Sequence, residues 1–521
     1  MFVKKGLASL MFAVFLGIML TGCSTGQKAD QPGTDTGTSS KNSDTLIITR
    51  LSDAENLDHH FMSTINAATI THGKIYEGLV GRDKNGNFRP MLAEKWSQVD
   101  ETTWEFNLRK NVTFHDGTPF NAESVKATFD RLLDPDVASP RAVVFKMITE
   151  VKIIDDNTIH FILKEPFSPF LSILASHEGG IINPKTISKY GKKIIQEPNG
   201  TGPFTFDSWS PGKEIKLVKN KKYWGESPDL NAVVFKVVPE ETTRVSMIET
   251  GEAHIAEPLS VTMMDTVESS KNARVYRSEG YGTEYIGFNV KKTPFDDVRV
   301  RKAVAHAIEM ESIIDGVFSN VGTKANSLLG SKVFGYHEQL KAYEYNLNEA
   351  KRLLTEAGYP NGFKTSLKTM DSKERINLAE VVQSQLKGIG IKVDIKVLEY
   401  GTFVEQVTGG DAEMFIISWR NATGDADYNQ YNLFHSSSHG AAGNTFFYSN
   451  KEVDRLIESA RAVQDDQERI ELYKKAQELE MKDAVYVPVR VIENMAAVSN
   501  DVRGFEISPS GYLEINDISI K

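Results

Sequence analysis

A chain of 521 residues is too long for one ordinary hydrophobic core, and its length predicts roughly two to four structural units. Apolar residues make up 40% and charged residues 25% of the chain, which is the composition of a folded globular protein. The net charge is −10 and the basic residues are dispersed. This distribution argues against a nucleic-acid partner, because a polyanion requires a clustered basic surface.

The N-terminus has the pattern of a secretion signal. Lys4 and Lys5 precede an apolar run that ends at Leu20 and is too short for a comfortable membrane span. Leu-Thr-Gly then leads directly into Cys23, the single cysteine of the chain. This order resembles the lipobox of bacterial lipoproteins, which implies removal of residues 1–22, acylation of Cys23 and anchoring at the extracytoplasmic face of the cell membrane. The alternative is an ordinary secreted protein with a stray cysteine.

The first folded elements follow a polar segment. Residues 23–43 contain almost no apolar side chain and predict a flexible tether. A strand is expected at residues 45–49 and a helix-like segment at residues 67–79. His59 and His60 could suggest a metal site, but adjacent residues on an extended chain point in opposite directions and no third ligand is evident nearby. We therefore expect no metal ion there.

Two later segments, residues 103–108 and 158–163, alternate apolar and polar side chains and predict half-buried antiparallel strands. A helix between them should begin near Asn121. His115 and Asp116 precede this helix and could suggest acid–base catalysis. The Asp-Gly sequence that follows His115 favours a plain turn instead.

The C-terminal half alternates between amphipathic helices and apolar strands, as in an α/β unit. One predicted helix is N-capped within residues 295–303 and buries Ala303, Val304, Ala307 and Ile308. Further helices are predicted at residues 347–357, 377–386, 453–463 and 470–476, and strands at residues 392–398, 414–417 and 485–492.

Several of these stretches resemble one protein family. They are residues 93–96, 103–109, 114–117, 200–204 and 295–303. They are similar to the solute-binding proteins of ABC importers for peptides and nickel, and they occur in the order of that family along nearly the whole mature chain. The resemblance implies an α/β, two-lobed periplasmic-binding-protein-like fold of the class II type, with an extra inserted β-rich domain. A ligand would bind between lobes that close by a hinge motion.

The resemblance also implies a domain organisation. It consists of a lipoprotein signal peptide (1–22), the tether (23–43), a discontinuous lobe I (44–75, 195–285 and 491–521), the inserted domain (76–194) and lobe II (286–490). The chain would cross between the lobes near residues 285–289 and 488–492.

The loop after Trp419 is the main candidate for ligand binding. A strand that delivers a tryptophan and then a polar, glycine-containing loop places an aromatic surface beside hydrogen-bonding groups. In the dipeptide and oligopeptide binders of the family, an Asp three residues after this Trp receives the α-ammonium of the ligand. That position is Ala422 here, so the carboxylates of Asp425 and Asp427 are the available replacements in the loop. Asp427 could equally cap the segment that follows.

The run from Trp419 through Thr423 to Asp427 resembles the glutathione-binding branch of the family more than the dipeptide branch. Glutathione has two carboxylates, and arginine meets a carboxylate bidentately. Candidate ligand residues on this side are Trp419, Arg420, Thr423, Asp425, Asp427 and Arg375, although Arg375 could be a solvated charge at a helix end. Tyr281, Gly282 and Thr283 are expected on the opposite wall, the alternative being a hinge strand with its tyrosine in the core.

The expected function is that of a lipid-anchored, extracytoplasmic protein that captures a short peptide, glutathione first, and delivers it to the transmembrane subunits of an ABC permease. A di- or oligopeptide binder, a nickel-chelate binder, a peptide-pheromone sensor and an extracellular hydrolase stay open as alternatives. The sequence contains no Gly-x-Ser-x-Gly elbow, phosphate-binding loop or His-Glu-x-x-His motif. We therefore expect no enzymatic activity, no cofactor and no metal ion. We also expect the protein to be a monomer.

Overall fold

A computed structural model describes residues 44–62, 64–84, 86–191, 194 and 197–521. The predicted signal peptide, Cys23 and the predicted tether lie outside the described residues. Within the described ranges, no helix combines the length and the apolar character needed to cross a membrane. The first strand, Thr45–Arg50, begins where the sequence predicts it.

The centre of the molecule is a mixed sheet, which has eleven strands among the described residues. Two long antiparallel neighbours, Ala273–Phe288 and Tyr486–Ser499, form its middle. Outward from the first of these lie Met414–Trp419, Lys364–Met370 and Lys392–Leu398. Outward from the second lie Ile255–Glu257, Thr45–Arg50, Ala232–Val237, Glu214–Lys219 and Phe204–Ser210, while Thr323–Lys324 also pairs with it.

A second sheet has four antiparallel strands, in the order Ala93–Asp100, Thr103–Leu108, Thr158–Leu163 and Ile148–Asp155. Burial alternates along its two central strands, which confirms the predicted half-buried pair. The helix Ala122–Leu133 packs beside this sheet and is capped by the side chain of Asn121, which accepts a hydrogen bond from Ser124 N. Short strand pairs join Val80–Arg82 to Phe88–Pro90, Val502–Arg503 to Ser519–Ile520, and Glu506–Ile507 to Leu513–Glu514.

The predicted helices of the C-terminal half are all present. Asp297 caps the helix Val298–Ala307 by accepting a hydrogen bond from Arg299 N, and this helix buries Ala303, Val304 and Ala307 as predicted. The α-helices of the described residues are Ile65–Thr71, Ala122–Leu133, Phe170–Leu174, Pro184–Tyr190, Glu241–Glu249, Met264–Glu268, Val298–Ala307, Met310–Phe318, Leu347–Glu356, Lys373–Lys387, Tyr400–Thr408, Ala426–Asn429, Lys451–Ala462 and Asp466–Lys482.

The helix predicted at residues 67–79 is wrong in its extent. The helix Ile65–Thr71 stops after seven residues, because His72 has an extended backbone with a ψ of 125° and Gly73 then adopts a left-handed φ of +68°. The chain then runs into the strand Val80–Arg82. The apolar residues that suggested a longer helix, such as Leu79, are buried beyond the turn.

The apolar interior is divided into separate clusters. One is built mainly from residues 46–76, 182–255 and 496–518, a second from residues 79–181, and a third from residues 286–489. The two long central strands run from the first cluster to the third, since Ala496 belongs to the first and Ile286 and Val487 belong to the third. The boundaries expected for the lobes and the inserted domain stay a prediction.

Candidate ligand-binding site

A cavity of about 670 Å³ lies at the carboxyl ends of three parallel strands, Lys364–Met370, Lys392–Leu398 and Met414–Trp419. Open α/β sheets bind ligands at this edge, where the loops leave the strands. The two long central strands also contribute to the wall. The charged side chains that line the cavity are Glu284, Asp371, Glu374, Arg375, Glu399, Arg420 and Arg490.

Glu284 organises the base of this cavity. Its buried carboxylate lies 3.3 Å from Arg375 Nε and 3.0 Å from Arg490 Nε. Arg490 also contacts Glu374 at 3.2 Å and stacks on the ring of Phe318. The two guanidinium groups and the carboxylates of Glu284 and Glu374 therefore form one ion-pair network at the base of the cavity.

Arg375 lies at a position in its helix that disfavours a positively charged side chain. It lies in the first turn of the helix Lys373–Lys387, where the positive end of the helix dipole disfavours a cation. Glu284 compensates for this, and Ser418 Oγ accepts a hydrogen bond from Arg375 Nη2 at 2.8 Å. Its remaining nitrogen, Nη1, is buried and donates to no described residue. A ligand carboxylate would satisfy this nitrogen.

Arg420 is the second predicted arginine and lines the same cavity. Its Nη1 donates to Asn494 Oδ1 at 3.2 Å, and much of the side chain is exposed. Desolvation within the cleft, followed by the charge of the neighbouring Arg375, lowers its pKa, although the guanidinium stays cationic at neutral pH. The structure thus brings the two predicted carboxylate-binding arginines together.

The loop after Trp419 is shaped by Asn421. The side-chain oxygen of Asn421 accepts hydrogen bonds from Thr423 N at 3.0 Å and Gly424 N at 2.7 Å, and its amide nitrogen donates to the carbonyl of Asp425. Gly424 adopts a φ of +72°, and a Cβ at this position would lie 2.9 Å from the ring of Tyr281. A glycine is therefore required where the loop packs on Tyr281.

Trp419 forms an aromatic pair with Tyr428, with 5.7 Å between the ring centroids. The two rings lie at the end of the strand Met414–Trp419 and in the short helix Ala426–Asn429. The indole Nε1 of Trp419 is buried and donates to no described residue. This pair supplies the aromatic surface that the sequence predicts beside the polar loop.

The two acids of the loop are engaged within the protein. Asp425 accepts hydrogen bonds from Arg469 Nη2 at 3.0 Å to each carboxylate oxygen, and it caps the helix that carries Tyr428. Asp427 Oδ1 lies 3.0 Å from Arg461 Nε, at an angle outside hydrogen-bond geometry. Burial raises the pKa of Asp427 to about 6 despite that neighbour. Their predicted role as ligand groups stays a prediction.

The other predicted ligand residues, Tyr281, Gly282, Thr283 and Thr423, lie in different surroundings from one another. Tyr281 is buried against Gly424, and Gly282 faces Arg420 and Ile492, with a Cβ there 3.4 Å from Arg420 Cγ. Thr283 is fully buried and donates to the carbonyl of Leu328. The carbonyl of Thr423 accepts a hydrogen bond from Arg82 Nη2 at 2.7 Å. Gly282 is thus the member of this group that lies beside the arginines.

The adjacent histidines form separate hydrogen bonds. His59 Nε2 lies 2.8 Å from the carbonyl of Gly180, and His60 Nδ1 lies 2.8 Å from Arg131 Nη1. Burial lowers the pKa of His59 to about 3. In the part of the chain that the structure describes, no group of three or more His, Cys, Asp or Glu side chains is arranged to hold a metal ion.

Sequence reasoning missed Glu284, Arg490 and Arg469. The partners of each ion pair lie far apart along the chain: 206 residues separate Glu284 from Arg490, and 44 separate Asp425 from Arg469. No local spacing connects such residues. The alternation of the strand around Tyr285 could only have shown that Glu284 and Tyr285 lie on opposite faces of the sheet.

Comparisons with known proteins identify the family of this chain. The bacterial extracellular solute-binding proteins, family 5 (middle), match residues 87–441. The glutathione-binding protein GsiB of Escherichia coli (strain K12) is 34% identical over 455 residues, which cover 86% of this chain and 89% of that protein.

Two solved structures are also similar. The ABC transporter-associated periplasmic binding protein DppA from Helicobacter pylori, in complex with the peptide STSA, has a TM-score of 0.78 and 30% identity, covering 91% of this chain and 98% of its own. HbpA2 from Haemophilus parasuis has a TM-score of 0.82 and 27% identity, covering 92% and 100%. These matches confirm the predicted two-lobed α/β fold. The chain belongs to family 5 of the bacterial extracellular solute-binding proteins.

Proposed function

We propose that this protein captures a short peptide, with glutathione as the first candidate, in the cleft between two lobes and delivers it to an ABC permease. The lobes are assigned as residues 44–75, 195–285 and 491–521 for the first and 286–490 for the second, with residues 76–194 inserted. The two long central strands connect the lobes and serve as the hinge. The protein acts as a monomer.

The observation that carries this proposal is the pair of arginines in the cavity. Arg375 Nη1 and the exposed guanidinium of Arg420 offer donors for carboxylates in the cavity. Glutathione presents two carboxylates at its ends, so two arginines suit it. The name of the relative GsiB supports the same ligand. Gly282 lets the ligand approach the backbone, and Tyr281, Thr283, Thr423, Asp425 and Asp427 complete the proposed site.

Calorimetric titration tests the ligand. Reduced glutathione is expected to bind more tightly than an Ala-Ala dipeptide. Arg420→Met should weaken glutathione binding by about 10- to 100-fold, because a hydrogen bond to a charged group contributes about 1.5–3 kcal/mol. Oxidised glutathione, titrated in parallel, identifies the preferred redox form.

The matched control is Arg352→Met, which removes an exposed arginine from the surface helix Leu347–Glu356. We expect it to bind glutathione as the unmodified protein does. Tighter binding of the dipeptide would reject glutathione in favour of the dipeptide class. Equal affinities for Arg420→Met and Arg352→Met would remove Arg420 from the site.

We also propose that acylated Cys23 anchors the protein at the outer face of the cell membrane, with residues 23–43 as the tether. Cys23→Ser should then release the protein into the soluble extracytoplasmic fraction, because serine has no thiol to carry the lipid. Cell fractionation and immunoblotting measure this. Retention of Cys23→Ser with the membrane would contradict the anchor.

A further inference from the structure

The acids that line the cavity at the carboxyl ends of the parallel strands are Glu284, Asp371, Glu374 and Glu399. Three of them are engaged within the protein. Glu284 pairs with Arg375 and Arg490, and Arg490 also pairs with Glu374. Glu399 caps the helix that follows it by accepting hydrogen bonds from two backbone N–H groups. These three carboxylates therefore already have partners.

Asp371 is the remaining acid of the cavity wall. Its backbone N–H donates to the carbonyl of Leu398 at 3.0 Å, which fixes the point where the chain leaves the strand Lys364–Met370. The residue is exposed. Within the described ranges, its carboxylate forms no ion pair and no hydrogen bond. Asp371 thus presents a negative charge to the cavity that no side chain of the described residues compensates.

The sheet sets Asp371 close to a donor for a ligand carboxylate. The strand before Asp371 lies between the strands Lys392–Leu398 and Met414–Trp419, and neighbouring strands are about 4.8 Å apart. Ser418, on the second of these, accepts a hydrogen bond from Arg375 Nη2. Arg375 Nη1 is buried and donates to no described residue. An acid and an arginine, each able to take a further partner, therefore lie near one another in the wall of the same cavity.

The two acids of the loop after Trp419 are placed differently. Neither Asp425 nor Asp427 belongs to the residues that line the cavity, and each lies against an arginine of the protein. An ammonium group that leaves water requires a carboxylate, because an unpaired buried charge is costly. Asp371 can supply this carboxylate without losing an existing partner.

From this arrangement we propose that Asp371 accepts the primary ammonium of the bound peptide, beside a ligand carboxylate on Arg375. The inference rests on the proposed function, since it requires a ligand with a free amino group. In glutathione, the ammonium and one carboxylate belong to the same carbon atom of the glutamyl residue, so an acid close to an arginine suits that end. Arg420 then binds the second carboxylate. Asp371 takes the role for which the loop has no acid at Ala422.

Asp371 also has a position that would stabilise its helix. It precedes Ser372, the N-cap residue of the helix Lys373–Lys387, whose side chain makes no capping hydrogen bond. A negative charge near the N-terminus of a helix is favourable. Loss of this effect would weaken the binding of every ligand alike, whereas loss of an ammonium contact would weaken only the ligands that have a free amine.

Calorimetric titration of glutathione and N-acetylglutathione tests the role of Asp371. The unmodified protein should bind glutathione at least about tenfold more tightly than N-acetylglutathione, because acetylation removes the ammonium charge. Asp371→Asn should bind glutathione at least about tenfold more weakly and should reduce this preference to about twofold or less. The matched control Asp394→Asn removes an exposed acid of the strand Lys392–Leu398 that does not line the cavity, and it should keep the preference.

A preference for the free amine that survives in Asp371→Asn overturns the inference, even if both affinities fall, since a weakened helix affects both ligands alike. A preference that is kept in Asp371→Asn and lost in Glu399→Gln would assign the ammonium to Glu399 instead. If the unmodified protein binds glutathione and N-acetylglutathione equally, the role of Asp371 is rejected while the proposed function stands. Circular dichroism confirms that each variant is folded.

Ala-Ala and N-acetyl-Ala-Ala are titrated in the same way, so that the inference and the choice of ligand can fail separately. If Ala-Ala binds and glutathione does not, glutathione is rejected. A preference for the free amine of Ala-Ala that Asp371→Asn abolishes would still support Asp371 as the acceptor of the ammonium. If none of the four ligands binds, both proposals fall.

Discussion

Replacing Arg469 with methionine is expected to lower the free energy of unfolding by about 3–5 kcal/mol. Arg469 binds both carboxylate oxygens of Asp425 at 3.0 Å, and both side chains are 4% exposed. The substitution would leave the Asp425 carboxylate buried without its cation. It would also remove the hydrogen bond from Arg469 Nε to the carbonyl of Ala460. Chemical denaturation followed by far-ultraviolet circular dichroism measures the change.

Two further variants identify the cause of this loss. Asp425→Asn combined with Arg469→Met should recover at least half of the lost stability, because asparagine removes the buried charge and is still a good N-cap for the helix Ala426–Asn429. Arg455→Met removes an exposed arginine from the neighbouring helix Lys451–Ala462 and should cost at most about 1 kcal/mol. A loss below about 1 kcal/mol for Arg469→Met would show that the pair contributes little.

The Arg469 pair also illustrates what the sequence could predict. Local sequence patterns were sufficient to predict helices and strands that are determined by residues close together in the chain. Asp297 caps its helix, and the strand Lys392–Leu398 has the predicted bounds. The strand predicted at residues 414–417 is present and runs two residues further, as Met414–Trp419. In each case, alternation, helical periodicity or a capping side chain acts within a few residues.

The features that the sequence could not show have one physical origin. Residues 67–79 contain helix-compatible side chains, but Gly73 turns the backbone and the following residues pack in a different direction. In the candidate site, the sequence could not show that Asp425 and Asp427 have arginine partners, because these partners lie in the helices Lys451–Ala462 and Asp466–Lys482. The role of the two acids as ligand groups stays a prediction. Charge pairing depends on tertiary packing, so a sequence can show which acids are present without showing which are already neutralised.

Arg82 provides the second large expected effect. Its Nη2 donates to the carbonyl of Thr423 at 2.7 Å and to Ser172 Oγ at 2.9 Å, and its guanidinium stacks on the ring of Phe88. Burial lowers its pKa, but the guanidinium stays cationic. Arg82 therefore joins the hairpin Val80–Pro90 to the loop after Trp419 without lining the cavity between Arg375 and Arg420.

Arg82→Met is expected to weaken ligand binding by about 10- to 100-fold, although Arg82 is not placed in contact with the ligand. If the lobes must close for tight binding, the apparent affinity falls in proportion to the fraction of protein that is closed. The charged hydrogen bonds lost in Arg82→Met are worth about 1.5–3 kcal/mol, and their loss lowers that fraction. Titration with glutathione measures the affinity, and small-angle X-ray scattering of the liganded protein should show a larger radius of gyration.

A matched variant separates closure from a general effect of charge. Arg89→Met removes an exposed arginine from the same hairpin. Among the described residues, Arg89 donates to the carbonyl of Arg82 and has no hydrogen bond to the loop after Trp419. It should retain the affinity and the radius of gyration of the unmodified protein. Weaker binding by Arg82→Met with an unchanged radius would assign its effect to the shape of the loop. An affinity within twofold of the unmodified protein would show that the contact with Thr423 does not contribute to binding.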